Sequence, residues 1–173
     1  MLSESANRTK RGGQELIGGL DVRVNRNHFG RQTESFETDL HLPFLVNDDG
    51  TATSAPFRTI FIRAPVVEKI LPAAEAEQVE ESKREDTVIA PSRAACHESV
   101  LEAAGKPVEI LATLPGRRHR LTELKVVTEP SEDGDIVAVR QANVFGCSFH
   151  PELTNDARIH AWWLLQVRKA LGR

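Results

Sequence analysis

The sequence at residues 143–153, Asn-Val-Phe-Gly-Cys-Ser-Phe-His-Pro-Glu-Leu, constrains the fold more than any other stretch of the chain. Its apolar beginning predicts a strand over 144–149, and its end carries His150 and Glu152 on either side of Pro151. Proline disfavours the helical conformation for the residue before it, so His150 is expected to be extended. Side chains two residues apart in an extended chain point to the same side. Glu152 is therefore expected to contact one imidazole nitrogen of His150.

A histidine held by a carboxylate is the base and the orienting group of a nucleophilic triad. The carboxylate fixes the imidazole tautomer and stabilises the imidazolium, while the second ring nitrogen stays available to a reacting group. The same residue types also meet at ordinary strand ends, so the pair alone does not separate a catalytic site from a solvated surface contact.

The two cysteines, Cys96 and Cys147, are not expected to supply the third member of such a triad. Cys147 lies three residues before His150 on the predicted strand, so its side chain has the opposite parity and is predicted to be a small core residue. Cys96 lies in a segment that offers neither a lowered thiol pKa nor a fixed base. The wide separation of the two gives no metal-binding spacing and no disulfide framework, which is typical of a reducing compartment.

Longer strings of the sequence resemble a known family. Gly-Cys-Ser-Phe-His-Pro-Glu-Leu at 146–153 resembles the end of class I glutamine amidotransferases, and in detail the glutaminase subunit of pyridoxal 5'-phosphate synthase, the PdxT/SNO family. Two further strings agree with that family in the same order. They are Arg-Asn-His-Phe-Gly-Arg-Gln at 26–32 with Ser-Phe-Glu at 35–37, and Phe-Ile-Arg-Ala-Pro at 61–65. The resemblance runs from the first residues to the last helix.

The fold implied by the resemblance is α/β, a Rossmann-like three-layer class I glutamine amidotransferase domain with a mixed central sheet. Hydrophobic periodicity in the sequence predicts strands over 20–25, 35–42 and 57–63 and an apolar helix over 157–171. We expect residues 1–173 to form a single partial domain, with a charged insertion at about 67–107 in which residues 75–86 are rich in Glu, Ala and Lys.

The first residues carry a further expectation. Residues 1–7 are predicted to be the last turn or two of a helix. In the family, a sharp strand-to-helix turn just before this point carries the nucleophilic cysteine, in a Gly-Thr-Cys-Ala-Gly type of sequence. The resemblance implies that this sequence begins a few residues after the nucleophile and is missing the N-terminal part of the fold. We therefore expect the chain to be inactive by itself.

The function implied by the resemblance is that of a glutaminase with a Cys-His-Glu triad. It hydrolyses L-glutamine to glutamate and ammonia, and the ammonia passes to the synthase subunit as partner. His150 would be the general base and Glu152 its orienting group. Arg26, Ile62 and Arg63 would contact L-glutamine, and a guanidinium suits the carboxylate of an amino acid because its fork donates two parallel hydrogen bonds. The glutaminase of this family carries no metal and no pyridoxal cofactor.

Two other interpretations stay open from the sequence: a non-catalytic interaction remnant or truncated gene model, and another class I amidotransferase or a glutamyl hydrolase. The net charge of −3 argues against binding to nucleic acid or a membrane surface. No apolar run approaches the ~20 residues that a membrane span requires. Because the first residues also lack a hydrophobic signal region, we expect a cytoplasmic protein.

Overall fold

A computed structural model describes residues 2–8, 15–26, 35–45, 51, 53, 55–71, 87–90, 106–115 and 134–172. The strands within these residues are β1 (Ser3–Asn7), β2 (Leu20–Asn25), β3 (Ser35–Leu40), β4 (Phe57–Ile62), β5 (Val66–Ile70), β6 (Thr87–Ile89), β7 (Glu109–Leu114), β8 (Asp135–Gln141) and β9 (Val144–Cys147). A 3-10 helix (Pro151–Leu153) and the helix α1 (Arg158–Ala170) follow.

The central sheet has the strand order β6-β1-β2-β5-β8-β7, and β9 pairs with β8. The pairing of β1 with β2 is parallel, whereas β1–β6, β2–β5, β5–β8, β7–β8 and β8–β9 are antiparallel. The sheet is therefore mixed. With α1 packed into the core, the prediction of an α/β fold around a mixed sheet is confirmed.

Strand β2 is buried on both faces. Val22 and Val24 lie in an apolar cluster on one side, as the alternating sequence predicts. Arg23 points to the other side, where its Nη1 donates to Thr87 Oγ1 at 2.8 Å and its Nε donates to Glu68 Oε2 at 2.9 Å. These bonds satisfy a guanidinium that is almost fully buried. They also attach β2 to strands on both sides of it.

A separate antiparallel pair, β3 and β4, packs on the main sheet through aromatic side chains. Phe57 and Phe61 of β4 lie 6.3 and 5.8 Å from Phe149, measured between ring centroids. Helix α1 adds Ile159 and Trp162 to this cluster. This core fixes β4 against the segment that follows β9.

The structure corrects the prediction that residues 1–7 are the end of a helix, because Ser3–Asn7 forms β1. Serine and asparagine are weak helix formers, so local propensity offers little resistance to an extended conformation. The backbone of this segment pairs with β2 on one edge and β6 on the other. Two sets of ladder hydrogen bonds therefore decide its structure.

The expected insertion at about 67–107 begins within the sheet. Strand β5 lies between β2 and β8, and β6 pairs with β1 at one edge. The charged segments 72–86 and 91–105 lie outside the described residues, so an insertion there stays a prediction. The expectation that residues 1–173 form a single partial domain also stays a prediction.

Candidate active site

The backbone at His150 is held by hydrogen bonds to two other strands. The N–H of Ser148 donates to the carbonyl oxygen of Val137 in β8 at 2.8 Å, and the N–H of His150 donates to that of Ile60 in β4 at 2.9 Å. Between them, Phe149 is buried in the aromatic core. The backbone of His150 is therefore fixed relative to β4 and β8.

His150 Nδ1 lies 2.7 Å from Glu152 Oε1. The local geometry differs from the extended dipeptide expected from the sequence. His150 is near-extended, with φ −104° and ψ 87°, but Pro151–Leu153 turns at once into a 3-10 helix. This turn folds the glutamate side chain back to the ring.

The direction of this hydrogen bond is defined, with His150 as the donor and Glu152 as the acceptor. The hydrogen bond from His150 is the main cause that lowers the pKa of the Glu152 carboxyl below its ordinary value. An ionised carboxylate can only accept, so the contact assigns the proton to Nδ1 and leaves Nε2 as the basic nitrogen. Both side chains are partly exposed, so a small molecule can reach the ring.

Cys147 does not belong to this pair. Burial raises the pKa of the Cys147 thiol to about 12, and the Glu152 carboxylate acts in the same direction. Its Sγ donates to the carbonyl oxygen of Phe149 at 3.4 Å, and the side chain packs against the aromatic core. A thiol in this environment stays protonated at neutral pH, which makes it a poor nucleophile.

The pairing of β2 with β5 brings two of the sequence motifs to one end of the sheet. The strands are antiparallel, with Asn25 paired to Val66. The register therefore places Arg26 beside Pro65, which lies in the connection between β4 and β5. Arg63 lies in the same connection.

Ile62 and Arg63 occupy the turn where β4 ends. Ile62 is 40% exposed, so its side chain is accessible at the end of β4. Arg63 has a φ of 49°, in the left-handed region that favours glycine. A left-handed conformation in a non-glycine residue is a strained one that is often found at binding sites.

A cavity of about 440 Å³ extends along the sheet from Leu2 and Leu20, at the starts of β1 and β2, to Pro65 at this end. Of the five predicted site residues, His150 and Ile62 line it and the other three do not. Pro65 also lines it, so the cavity adjoins the connection that carries Arg63. The remaining lining is mostly apolar: Leu2, Leu20, Val22, Val24, Val67, Val137, Ala138, Val139, Phe145, Gly146, Cys147 and Phe149, with the polar Ser3 and Ser148.

The structure adds a residue that the sequence analysis did not single out. Asn7 Oδ1 accepts a hydrogen bond from the backbone N–H of Arg26 at 2.7 Å. The contact depends on the parallel pairing of β1 with β2, which a predicted helix end does not allow. No local pattern in the sequence could therefore have indicated it.

The described residues contain no group of three or more His, Cys, Asp or Glu side chains arranged to hold a metal ion. None of the helices they form is long and apolar enough to cross a membrane.

Comparison with known proteins gives one family. The model of the SNO glutamine amidotransferase family matches residues 2–101 and 114–169. A protein of Dictyostelium discoideum named "Probable pyridoxal 5'-phosphate synthase subunit pdx2" is 36% identical over 169 residues, which are 96% of this chain and 52% of that protein. The Thermotoga maritima protein named "Pyridoxal 5'-phosphate synthase subunit PdxT" is 34% identical over 163 residues, 94% of this chain and 55% of that protein.

A solved structure agrees with these matches. The crystal structure of a glutamine amidotransferase superposes with a TM-score of 0.52 at 29% sequence identity, covering 95% of this chain and 54% of that one. The chain thus spans about half the length of the curated relatives it matches.

Proposed function

The chain belongs to the SNO glutamine amidotransferase family, and we propose that it provides the general base and the glutamine contacts of the glutaminase subunit of a pyridoxal 5'-phosphate synthase. The observation that carries the proposal is the 2.7 Å contact of His150 Nδ1 with Glu152 Oε1 at the end of the sheet where the Arg26 and Ile62–Arg63 motifs meet. The reaction is the hydrolysis of L-glutamine to glutamate and ammonia.

His150 moves protons in both halves of this reaction. His150 Nε2 takes the proton of a cysteine thiol, the resulting thiolate attacks the carboxamide carbon of glutamine, and Nε2 gives that proton to the departing ammonia. The acyl group is then held as a thioester. Nε2 takes a proton from water, the resulting hydroxide attacks the thioester, and glutamate leaves as the thiol is restored. Glu152 stabilises the imidazolium at the steps where the ring is protonated.

We propose that the thiol is neither of the two cysteines of this sequence. Cys147 is half-buried and has a raised pKa, and its side chain packs against the aromatic core. Cys96 lies outside the described residues, in a segment that the sequence gives no reason to regard as activated. Residues 1–173 alone are therefore expected to release no ammonia from glutamine.

The glutamine substrate is recognised at its amino-acid end. The Arg26 guanidinium pairs with the α-carboxylate, since a planar fork matches two carboxylate oxygens. Ile62 contributes apolar contact, and Arg63 contributes backbone groups and its side chain, from the turn after β4. The carboxamide then points toward His150, which lines the same cavity as Ile62.

The ammonia acceptor is the synthase subunit, by analogy with relatives that are named as subunits of that enzyme. Those names favour this function over another class I amidotransferase or a glutamyl hydrolase. Delivery of ammonia to a partner subunit also has a chemical advantage. Free ammonia is protonated in water, so a glutaminase gains by delivering it directly to a second active site.

Ammonia release from L-glutamine tests the proposal, measured with the synthase subunit and a version of the protein to which the family's segment with the nucleophilic cysteine is added before residue 1. His150→Asn should abolish release while the circular dichroism spectrum is unchanged, because Nε2 is lost. Cys147→Ala is the matched control and should retain release. Unchanged release in the His150 variant, or release that disappears in the Cys147 variant, would overturn the assignment.

A further inference from the structure

The end of β1 reaches the end of β2 through one side chain. The two strands are parallel and in register at Ala6 and Val24, so Asn7 comes beside Asn25 where both strands end. On its other edge, Asn7 is paired with Thr87 of β6. Asn7 is thus a half-buried residue held by backbone pairing on both sides.

The side chain of Asn7 is directed beyond the strand. Its Oδ1 accepts from the backbone N–H of Arg26 at 2.7 Å, at the short end of the range for such bonds. Arg26 is the first residue after β2, where the pairing with β5 stops at Asn25 and Val66. The amide of Asn7 therefore extends the hydrogen bonding of the sheet by one residue.

That extra residue is the one to which carboxylate recognition is assigned. A bidentate contact to a carboxylate requires the guanidinium to be placed within roughly half an ångström. Arginine has a long side chain, so a small rotation at its Cα moves the guanidinium by several times that distance. Fixing the backbone N–H at the start of the turn limits this rotation.

We propose that Asn7 is a positioning residue for recognition of the α-carboxylate of glutamine, acting through the backbone of Arg26. The proposal rests on the proposed function, since it requires Arg26 to bind that carboxylate. Asn7 has no contact with substrate in this role. Its contribution is the orientation of the turn that begins at Arg26.

A merely structural role for Asn7 makes a different prediction. If the hydrogen bond only stabilised the strand end, its loss would weaken the binding of all ligands of the site alike. A positioning role acts on the carboxylate alone. The two are separated by comparing L-glutamine with 4-aminobutanamide, which keeps the carboxamide and amine but has no carboxylate.

The experiment is isothermal titration of the protein with both ligands. Asn7→Leu keeps the size of the side chain and removes the acceptor, and Asn7→Asp keeps an acceptor oxygen. We expect Asn7→Leu to weaken glutamine binding about tenfold, as the loss of one well-placed hydrogen bond can. It should change the binding of 4-aminobutanamide less than about twofold, and Asn7→Asp should stay close to the unmodified protein for both ligands.

Arg26→Ala separates the two hypotheses. If Arg26→Ala binds glutamine as tightly as the unmodified protein, the assignment of Arg26 in the proposed function is wrong. Suppose instead that Arg26→Ala weakens glutamine binding. If Asn7→Leu then leaves glutamine binding unchanged, or weakens the binding of glutamine and of 4-aminobutanamide equally, only the positioning role is wrong. A thermal melt accompanies each variant, and Asn7→Ala replaces Asn7→Leu should the latter not fold cooperatively.

Discussion

The backbone N–H of His150 donates a 2.9 Å hydrogen bond to the carbonyl oxygen of Ile60. This bond attaches the candidate base to β4, the strand that leads directly into the Ile62–Arg63 turn. The two parts of the proposed site therefore share one rigid support. A shift of β4 would move the candidate base and the Ile62–Arg63 turn together, which keeps their separation constant.

Phe149 is expected to be the main anchor of this arrangement. It is 3% exposed and lies between Phe57 and Phe61. Phe149→Ala should lower the free energy of unfolding by about 3–5 kcal/mol, because the cavity left behind cannot be filled by neighbouring rings. Phe149→Leu, the control, should lose about 1–2 kcal/mol. Urea unfolding measures both, and equal stability of the two variants would contradict the anchor role.

The Glu152 carboxyl should titrate below the ordinary range of about 4.3 for glutamate. The cause is the hydrogen bond from His150, which favours the ionised form. Because the folded-state pKa is the lower one, the stabilisation is complete above the unfolded-state pKa and is lost as the pH falls through the folded-state pKa. Carbon NMR of the side-chain carboxyl follows this directly. In His150→Ala the midpoint should rise, and an unchanged midpoint would refute the contact.

Cys147 should resist thiol reagents in the native state. Burial places its pKa at about 12, so almost no thiolate is present at pH 8. In a Cys96→Ser background, Cys147 should react with Ellman's reagent only after denaturation. Thiol release is followed by absorbance with and without urea. Rapid reaction of the native protein would contradict the packing described for this side chain, and would reopen Cys147 as a nucleophile.

The strained turn at Arg63 offers a comparison with a second left-handed residue, Ala142, in the β8–β9 hairpin. Glycine adopts this conformation without the Cβ penalty, so Arg63→Gly and Ala142→Gly should each stabilise the fold by about 0.5–1 kcal/mol. Only Arg63→Gly should also weaken glutamine binding. Thermal melts and titration calorimetry test the pair. Equal affinity in the two variants would show that the Arg63 side chain does not serve the site.

The strands that were predicted correctly are those with a strong local pattern. β2 has the bounds expected from its alternation, and β4 ends one residue before its predicted end. Helix α1, predicted over 157–171, runs over Arg158–Ala170 for the same reason, since its apolar residues recur with helical spacing. In these segments, local sequence and tertiary packing favour the same conformation.

Strand β1 could not be predicted from a local sequence pattern. Nothing in Ser-Glu-Ser-Ala-Asn indicates a strand, and its conformation is decided by backbone pairing with β2 and β6. The His150–Glu152 contact was expected from spacing, yet it forms through a 3-10 turn whose geometry the spacing does not contain. The positions of Arg26, Ile62 and Arg63 at one end of the sheet follow from register, which no single segment encodes.

The hydrogen bond from His150 to Ile60 also bears on the order of events in folding. The β8–β9 hairpin joins neighbouring segments and can form early, whereas the β2–β5 pairing and the His150–Ile60 bond close long loops and cost more chain entropy. The candidate base and the residues proposed to bind glutamine therefore come together only when these distant closures are complete. During refolding, recovery of glutamine binding would follow recovery of strand content. A chain with most of its sheet formed would not yet bind glutamine.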